Sequence, residues 1–432
     1  MQNHRYLILF ISAIITIFGF LIAATSVSAA TQEKVLASFD GTNGFIPIAG
    51  LVFDASGNLY GTTFSGGTNN LGAVFEVVHG RGGEWTKRTL YNFCSATGCV
   101  DGTNPQGGLV VDKAGNLYGT AATGGGNGFG AVFELVKGRH GKWKEKVLHN
   151  FNFDGADGYY PLSSLIFDSA GNLDGTTEWG GAYNSGTVFS LTKVAGHGWT
   201  EQIMYSFNDN GEDGYAPYAS VIFDKAGNLY GTTALGGASG TGCGGQGCGT
   251  VFELTLGSNG NWIEAVLHSF MDDGKSGFKP WGGVVIDGSG NLYGTTNAGG
   301  PVSAGCGNGG CGVVFELTPL GGGNWSEKVL HHFQDDGSDG YGSVAGLALD
   351  AKGNLYGTTY YGGAYNDGIA FEVVPAKKRW IEKVLHTFDW SLTVKDGSSP
   401  GSGLIFDSSG NLYGTTENGG DYDQGAVIEI TP

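Results

Sequence analysis

One phrase returns seven times along the chain: an Asp, two spacer residues, then Gly-Asn-Leu-Tyr-Gly-Thr with minor lapses. The copies begin at Asp54, Asp112, Asp168, Asp224, Asp287, Asp350 and Asp407. Successive copies stand 56 to 63 residues apart, enough for one four-stranded supersecondary unit and too little for an independent domain. The chain is therefore a tandem array whose units must bury their apolar faces against one another.

Four strand-like runs align within each period, as in the third: Ser164 to Asp168, Asn172 to Thr177, Thr187 to Leu191 and Glu201 to Phe207. They are rich in β-branched and aromatic residues and are bounded by Gly or Asp. Apolar residues fall consecutively, as in Leu165-Ile166-Phe167, which predicts strands covered on both faces, the condition of sheets packed side by side around an axis. The fourth kind of strand occurs at Val35 to Phe39, Thr89 to Phe93, Val147 to Phe151, Ile203 to Phe207, Val266 to Phe270, Val329 to Phe333 and Val384 to Phe388. The first of these precedes any complete repeat, and the last repeat stops at its third strand, Ala426 to Ile430. The N-terminal strand is thus expected to complete the last blade. This predicts an all-β chain, a seven-bladed β-propeller of four-stranded antiparallel blades spanning residues 31–432.

The Gly-Asn-Leu-Tyr-Gly-Thr-Thr phrases, with the Gly-Gly and Val-Phe-Glu-Leu runs that follow them, resemble the choice-of-anchor tandem repeat GloVer-containing family (Gloeo/Verruco repeat), over about residue 34 to 432. The resemblance implies a secreted bacterial β-propeller-like protein, anchored in some members by a C-terminal signal that is not evident here. It implies no settled activity.

Residues 1–30 differ from the rest. His4 and Arg5 precede an apolar run from Tyr6 to Ala24 and small residues ending Ser28-Ala29-Ala30, which reads as a secretory signal peptide, with an uncleaved anchor as the alternative. Either way the repeats are expected outside the cytoplasm, with no membrane span after cleavage, as a monomer. A net charge of −18 with five Arg argues against nucleic acid as a partner. Three Cys pairs share one spacing, Cys94/Cys99, Cys243/Cys248 and Cys306/Cys311, and in an exported chain this predicts three local disulfides that stiffen loops.

A residue that recurs from blade to blade is expected to be scaffold. This covers the Asp that opens each phrase, as well as Glu76, Glu134, Glu253, Glu316, Glu372 and Glu429. It also covers His149, His268, His331 and His386, and the outer-edge Trp85, Trp143, Trp199, Trp262, Trp325 and Trp380. Variation concentrates on the face carrying the second-to-third strand loops. Between the constant Thr-Thr and Gly-Gly stands a two-residue window: Phe64-Ser65, Ala122-Thr123, Glu178-Trp179, Ala234-Leu235, Asn297-Ala298, Tyr360-Tyr361 and Glu417-Asn418. Aromatic, amide and carboxylate groups in equivalent settings suit stacking and hydrogen bonding to a glycan. The candidate ligand-binding residues are therefore Phe64, Glu178, Trp179, Asn297, Tyr360, Tyr361, Glu417 and Asn418, with Trp281 from a blade connection.

These residues argue against catalysis. Arg81, Arg88, Arg139 and Arg379 lie away from the variable face, so no arginine cluster is placed for a sialidase. The innermost strands supply no metal ligands for a lactonase. Glu178 and Glu417 belong to blades expected to stand nearly opposite, too far apart for a glycosidase pair. No cofactor is expected; the Asp-rich connections at Asp154 with Asp157, Asp209 with Asp213, and Asp336 with Asp339 read as turns, with calcium as the alternative, since their spacing is irregular and matches no complete ligand loop. The sequence thus favours a secreted, non-enzymatic recognition propeller binding an extracellular glycan or surface protein. A polysaccharide-degrading lyase or hydrolase and a structural cell-surface protein are the alternatives.

Overall fold

Each repeat does fold as an antiparallel four-stranded sheet. The first is built from Val52–Phe53, Leu59–Thr63, Ala73–His79 and Trp85–Asn92, and seven such sheets form the ring. The computed structural model describes residues 32–238, 243–303, 305–307, 309–377, 379–391 and 395–432, with the side chain of residue 140 left out. The expected export segment at residues 1–30 lies outside the described residues. Among them, no helix is long and apolar enough to cross a membrane.

The ring closes as the repeat count requires. Gln32–Ser38 pairs antiparallel with Ala426–Thr431, so the last sheet runs Gln32–Ser38, Ala426–Thr431, Leu412–Thr416, Ile405–Phe406. Closure is reinforced at the axis. The Thr that follows the Gly in each repeated phrase donates its hydroxyl to an inner carbonyl of the next blade: Thr62 to Gly107, Thr120 to Ser163, Thr176 to Ala219, Thr232 to Gly282, Thr295 to Ala345, Thr358 to Ser402 and Thr415 to Ala49, at 2.9 to 3.1 Å. This explains a difference from the sequence reading, which made the innermost strands about five residues long. Their ladders span two residues, such as Ile166–Phe167, because carbonyls just ahead of the strand serve the neighbouring blade instead.

The core is made between blades. Phe93 meets Phe133 edge to face at 5.0 Å, Phe151 meets Phe189, Phe207 meets Phe252, Phe270 meets Phe315, and Phe333 meets Phe371. Each first-named ring closes one blade's fourth strand and each second-named ring sits in the next blade's third, so no unit can bury its core alone. The recurrent Trp residues do the same further out. Trp143 lies against Tyr60, Trp199 against Tyr118, Trp325 against Tyr230, Trp380 against Tyr293 and Trp85 against Tyr413, at 6.0 to 6.4 Å.

The repeated acids are scaffold, as expected. In the first blade Asp54 Oδ1 accepts the backbone N–H groups of Ser56 and Asn58 while Oδ2 accepts the side chain of Asn58, which fixes the Asp-x-x-Gly-Asn turn. The Tyr60 hydroxyl then lies between Asp54, at 3.1 Å, and Glu76, at 2.6 Å. The other repeated Glu residues hold the equivalent Tyr hydroxyls.

Candidate functional site

Connections between blades run on the same face as the second-to-third loops and are stitched to them. Gly158–Tyr159 pairs with Trp179–Gly180, Gly214–Tyr215 with Leu235–Gly236, and Gly340–Tyr341 with Tyr361–Gly362. The first residue of every variable window donates its N–H to a connection residue of positive φ. Phe64 donates to Ile46, Ala122 to Asn104, Glu178 to Tyr160, Ala234 to Ala216, Asn297 to Lys279, Tyr360 to Gly342 and Glu417 to Ser399. A β-branched residue such as Ile46, at φ 58°, rarely adopts the left-handed region, and such conformations persist where the surroundings over-determine them. Two residues further on, each connection turns inward beside the axis.

That geometry exposes a second variable position in the blade connections, of which the sequence reading placed only Trp281 among the ligand-binding residues. The residues are Ile48, Gln106, Leu162, Tyr218, Trp281, Val344 and Gly401, one from each blade, and together with Tyr360 and Glu417 they line a mouth of about 440 Å³. The signal was available: in six repeats this residue directly follows a Pro and precedes small residues. A further space of about 240 Å³ adjoins it, lined also by small residues just ahead of the inner strands, such as Gly50, Gly108, Ser164, Ser220 and Gly283.

Two tyrosines of the mouth, Tyr218 and Tyr360, are each held by a carboxylate. Tyr218 donates its hydroxyl to Glu178 Oε1 at 2.8 Å, and Tyr360 donates to Glu417 Oε2. Burial pushes the Glu178 carboxyl above the usual carboxylate range, partly offset by the bond from Tyr218. Burial, then the carboxylate partner, raises both phenols well above the ordinary tyrosine value, so each is a hydrogen-bond donor at neutral pH. Trp281 is 38% exposed, with its ring 6.5 Å from that of Tyr218. The mouth thus offers an accessible indole, two phenols and the Glu417 carboxylate, with Glu178 behind Tyr218.

The other predicted residues sit further out. Tyr361 stacks on Tyr341 at 5.3 Å. Trp179 pairs with Tyr159 in its ladder and packs on the core around Val188 and Phe207. Phe64 presents its carbonyl to Asn104, and Asn418 its carbonyl to Thr416. The Asn297 window residue is held through its N–H to Lys279. Around this rim stand exposed aromatics outside the variable window, among them Tyr183, Tyr365 and Tyr422. All three cysteine pairs are disulfides, Cys94–Cys99, Cys243–Cys248 and Cys306–Cys311.

The Asp-rich connections are turns with a second duty. Asp154 Oδ1 accepts the N–H groups of Ala156 and Asp157, while Asp157 faces His149 at 3.2 Å. Asp336 and Asp339 repeat this with His331. In the fourth blade the turn acceptor is Asn210, not Asp209, which departs from the pairing read from the sequence. His149, Asp157 and Glu201, and likewise His331, Asp339 and Glu382, or Glu33, His386 and Asp396, have the donors to hold a cation. The same junction elsewhere is Tyr91 with Asp101, or Tyr205 with Asp213. A phenol thus fills the histidine's place at those two junctions.

A family model described as Gloeobacter/Verrucomicrobia repeat matches residues 19–244 and 241–432. No curated protein matches the chain in sequence. Among solved structures, the extracellular domain of a hybrid two-component system from B. thetaiotaomicron is similar at 12% identity and a TM-score of 0.55, over 93% of this chain. This chain spans 39% of the length of that one. A polysaccharide lyase, an ulvan lyase bound to its saccharide, is similar at 12% identity and a TM-score of 0.52, over 92% of this chain and 95% of its own. Likeness at this level concerns the fold.

Proposed function

We propose that this chain, which belongs to the Gloeobacter/Verrucomicrobia repeat family, is an exported recognition propeller that binds an extracellular glycan at the mouth of its central channel. The observation that carries the reading is the mouth itself. There seven equivalent positions differ blade by blade, Tyr218 and Trp281 among them, and stand with Tyr360 and Glu417 around one opening, above a channel of small residues. An accessible indole stacks on a sugar face, and fixed carboxylates accept its hydroxyls. The disulfides support an oxidising compartment. Phenols held protonated by burial and by their Glu partners are poor bases, which favours binding over turnover.

The test is a glycan array probed with the purified protein and with Trp281→Ala and Glu417→Gln, alongside assays for new reducing ends and unsaturated products on polysaccharide substrates. Binding lost in both variants, with no product formed, is the expected result. Product release abolished by Glu178→Gln or Glu417→Gln would replace recognition with catalysis, and unchanged binding in both variants would move the site elsewhere.

A further inference from the structure

The third repeat departs from the others at a buried pair of positions. In six blades the second-strand Tyr faces a third-strand Glu across the ladder, as Tyr60 faces Glu76, and its hydroxyl bridges that Glu to the turn Asp. In the third blade the pair in the same register is Asp174 and Ser190. Two large side chains are thereby replaced by small ones. The Tyr ring is also missing from its usual neighbour, the Trp of the next blade, so Trp262 now lines a pocket with Asp174, Ser190, Asp168, Gln202 and Met204.

That pocket measures about 600 Å³. A groove of about 660 Å³ also lies between the fourth and fifth blades, but there Tyr230 and Trp325 are in ring contact and no repeat residue is lost. The floor is what distinguishes the third blade. Asp174 is 2% exposed, and its Oδ1 has no hydrogen-bond partner. A buried carboxylate oxygen without a donor is costly. The pocket walls add Asp168 and Asp224 against a single cation, Lys225.

We propose that the pocket between the third and fourth blades takes a compact primary ammonium, whose N–H groups donate to Asp174 while its carbon body lies against Trp262. An ammonium supplies the missing donor, offsets the acidic walls and is attracted to an indole face. A quaternary ammonium lacks the donor and a neutral alcohol lacks the charge, so both should bind less well. This pocket is separate from the channel mouth, and its occupancy does not depend on the glycan reading.

The experiment is calorimetric and saturation-transfer titration of the whole protein with putrescine, using butanediol as the neutral control, at neutral pH. Saturable binding of putrescine is expected, weaker by about tenfold or more in Asp174→Asn. It should be lost in Asp174→Tyr/Ser190→Glu, which restores the pair found in the other six blades and should keep or raise Tm. Lys225→Ala should not weaken binding. Equal binding of putrescine and butanediol, no binding at all, or undiminished binding in the restored double variant would each overturn the proposal.

Discussion

The hydroxyl of Thr415 donates to the carbonyl of Ala49 at 3.0 Å, across 366 residues of sequence. It is the same bond that Thr232 makes to Gly282 between adjacent blades, so at the axis the junction joining the two ends of the chain matches the others. Thr415→Val and Thr232→Val should therefore cost about equally, roughly 1 to 2 kcal/mol each, since each leaves a buried carbonyl short of a donor. Urea denaturation of the two variants decides the matter. A negligible loss at Thr415 beside a full loss at Thr232 would mean that the ring stands open in solution.

Away from the axis the closing junction differs. Where other blades carry Glu145, Glu201, Glu264, Glu327 or Glu382, the first carries Lys87, whose ammonium donates to the Ser38 carbonyl and the Asn43 side chain and lies 3.9 Å from the Phe39 ring centroid. The Tyr or His that faces the Glu elsewhere is Ala37 here. Lys87→Glu should thus place an unpaired carboxylate against a carbonyl and cost about 3 kcal/mol or more. Lys87→Met, which keeps the packing against Phe39, should cost less. Thermal unfolding of the two variants gives the order, and the reverse order would refute this account of the junction.

Stability should fall as pH rises. Burial, followed by a neighbouring Asp carboxylate, pushes Glu33 and Glu264 up to about 8, Glu201 to about 9, and Glu145 and Glu382 to about 7. Between the unfolded carboxyl value near 4.5 and these values the folded chain holds protons that the unfolded chain has released, so unfolding releases protons. The junction glutamates therefore erode stability from about pH 5 upward, with the loss complete above about pH 9. Tm measured across that window should decline, and Glu201→Gln with Glu264→Gln should flatten the slope. A Tm that climbs from pH 5 to 9 would contradict the assignment.

Each disulfide closes a loop of sequence separation 5. By loop entropy, Cys243→Ala with Cys248→Ala should cost about 2 kcal/mol, and Cys248, buried at 3% exposure, adds a packing loss that Cys94 does not. Denaturant midpoints of the first and second pair's double alanine variants should rank in that order.

The frame was legible because it repeats. Seven copies of one phrase gave the period, and the unpaired strand at Val35 to Phe39 gave the closure. Trp281, Tyr360 and Glu417 were visible as departures within a register and do meet at the mouth. The ring formed by Ile48, Gln106, Leu162 and Tyr218 was not, because the recurrent Pro before each position does not reveal that the position faces the axis. That these connections turn inward follows from hydrogen bonds made at a distance in the chain. Asp174 was hidden for the opposite reason. It looked like a lapse in a conserved-looking phrase, and only the cross-strand match with Ser190 makes it a coordinated change.

The pairing of Gln32–Ser38 with Ala426–Thr431 also sets an order in time. The first strand to be synthesised is the last to find a partner, so until the seventh repeat is complete it presents a bare edge. At high local concentration that edge can be met by the last repeat of another molecule, giving linked rings in place of one. Lys87, whose ammonium holds the Ser38 carbonyl at the end of that strand and Asn43 beyond it from the first blade, favours capture within the same molecule.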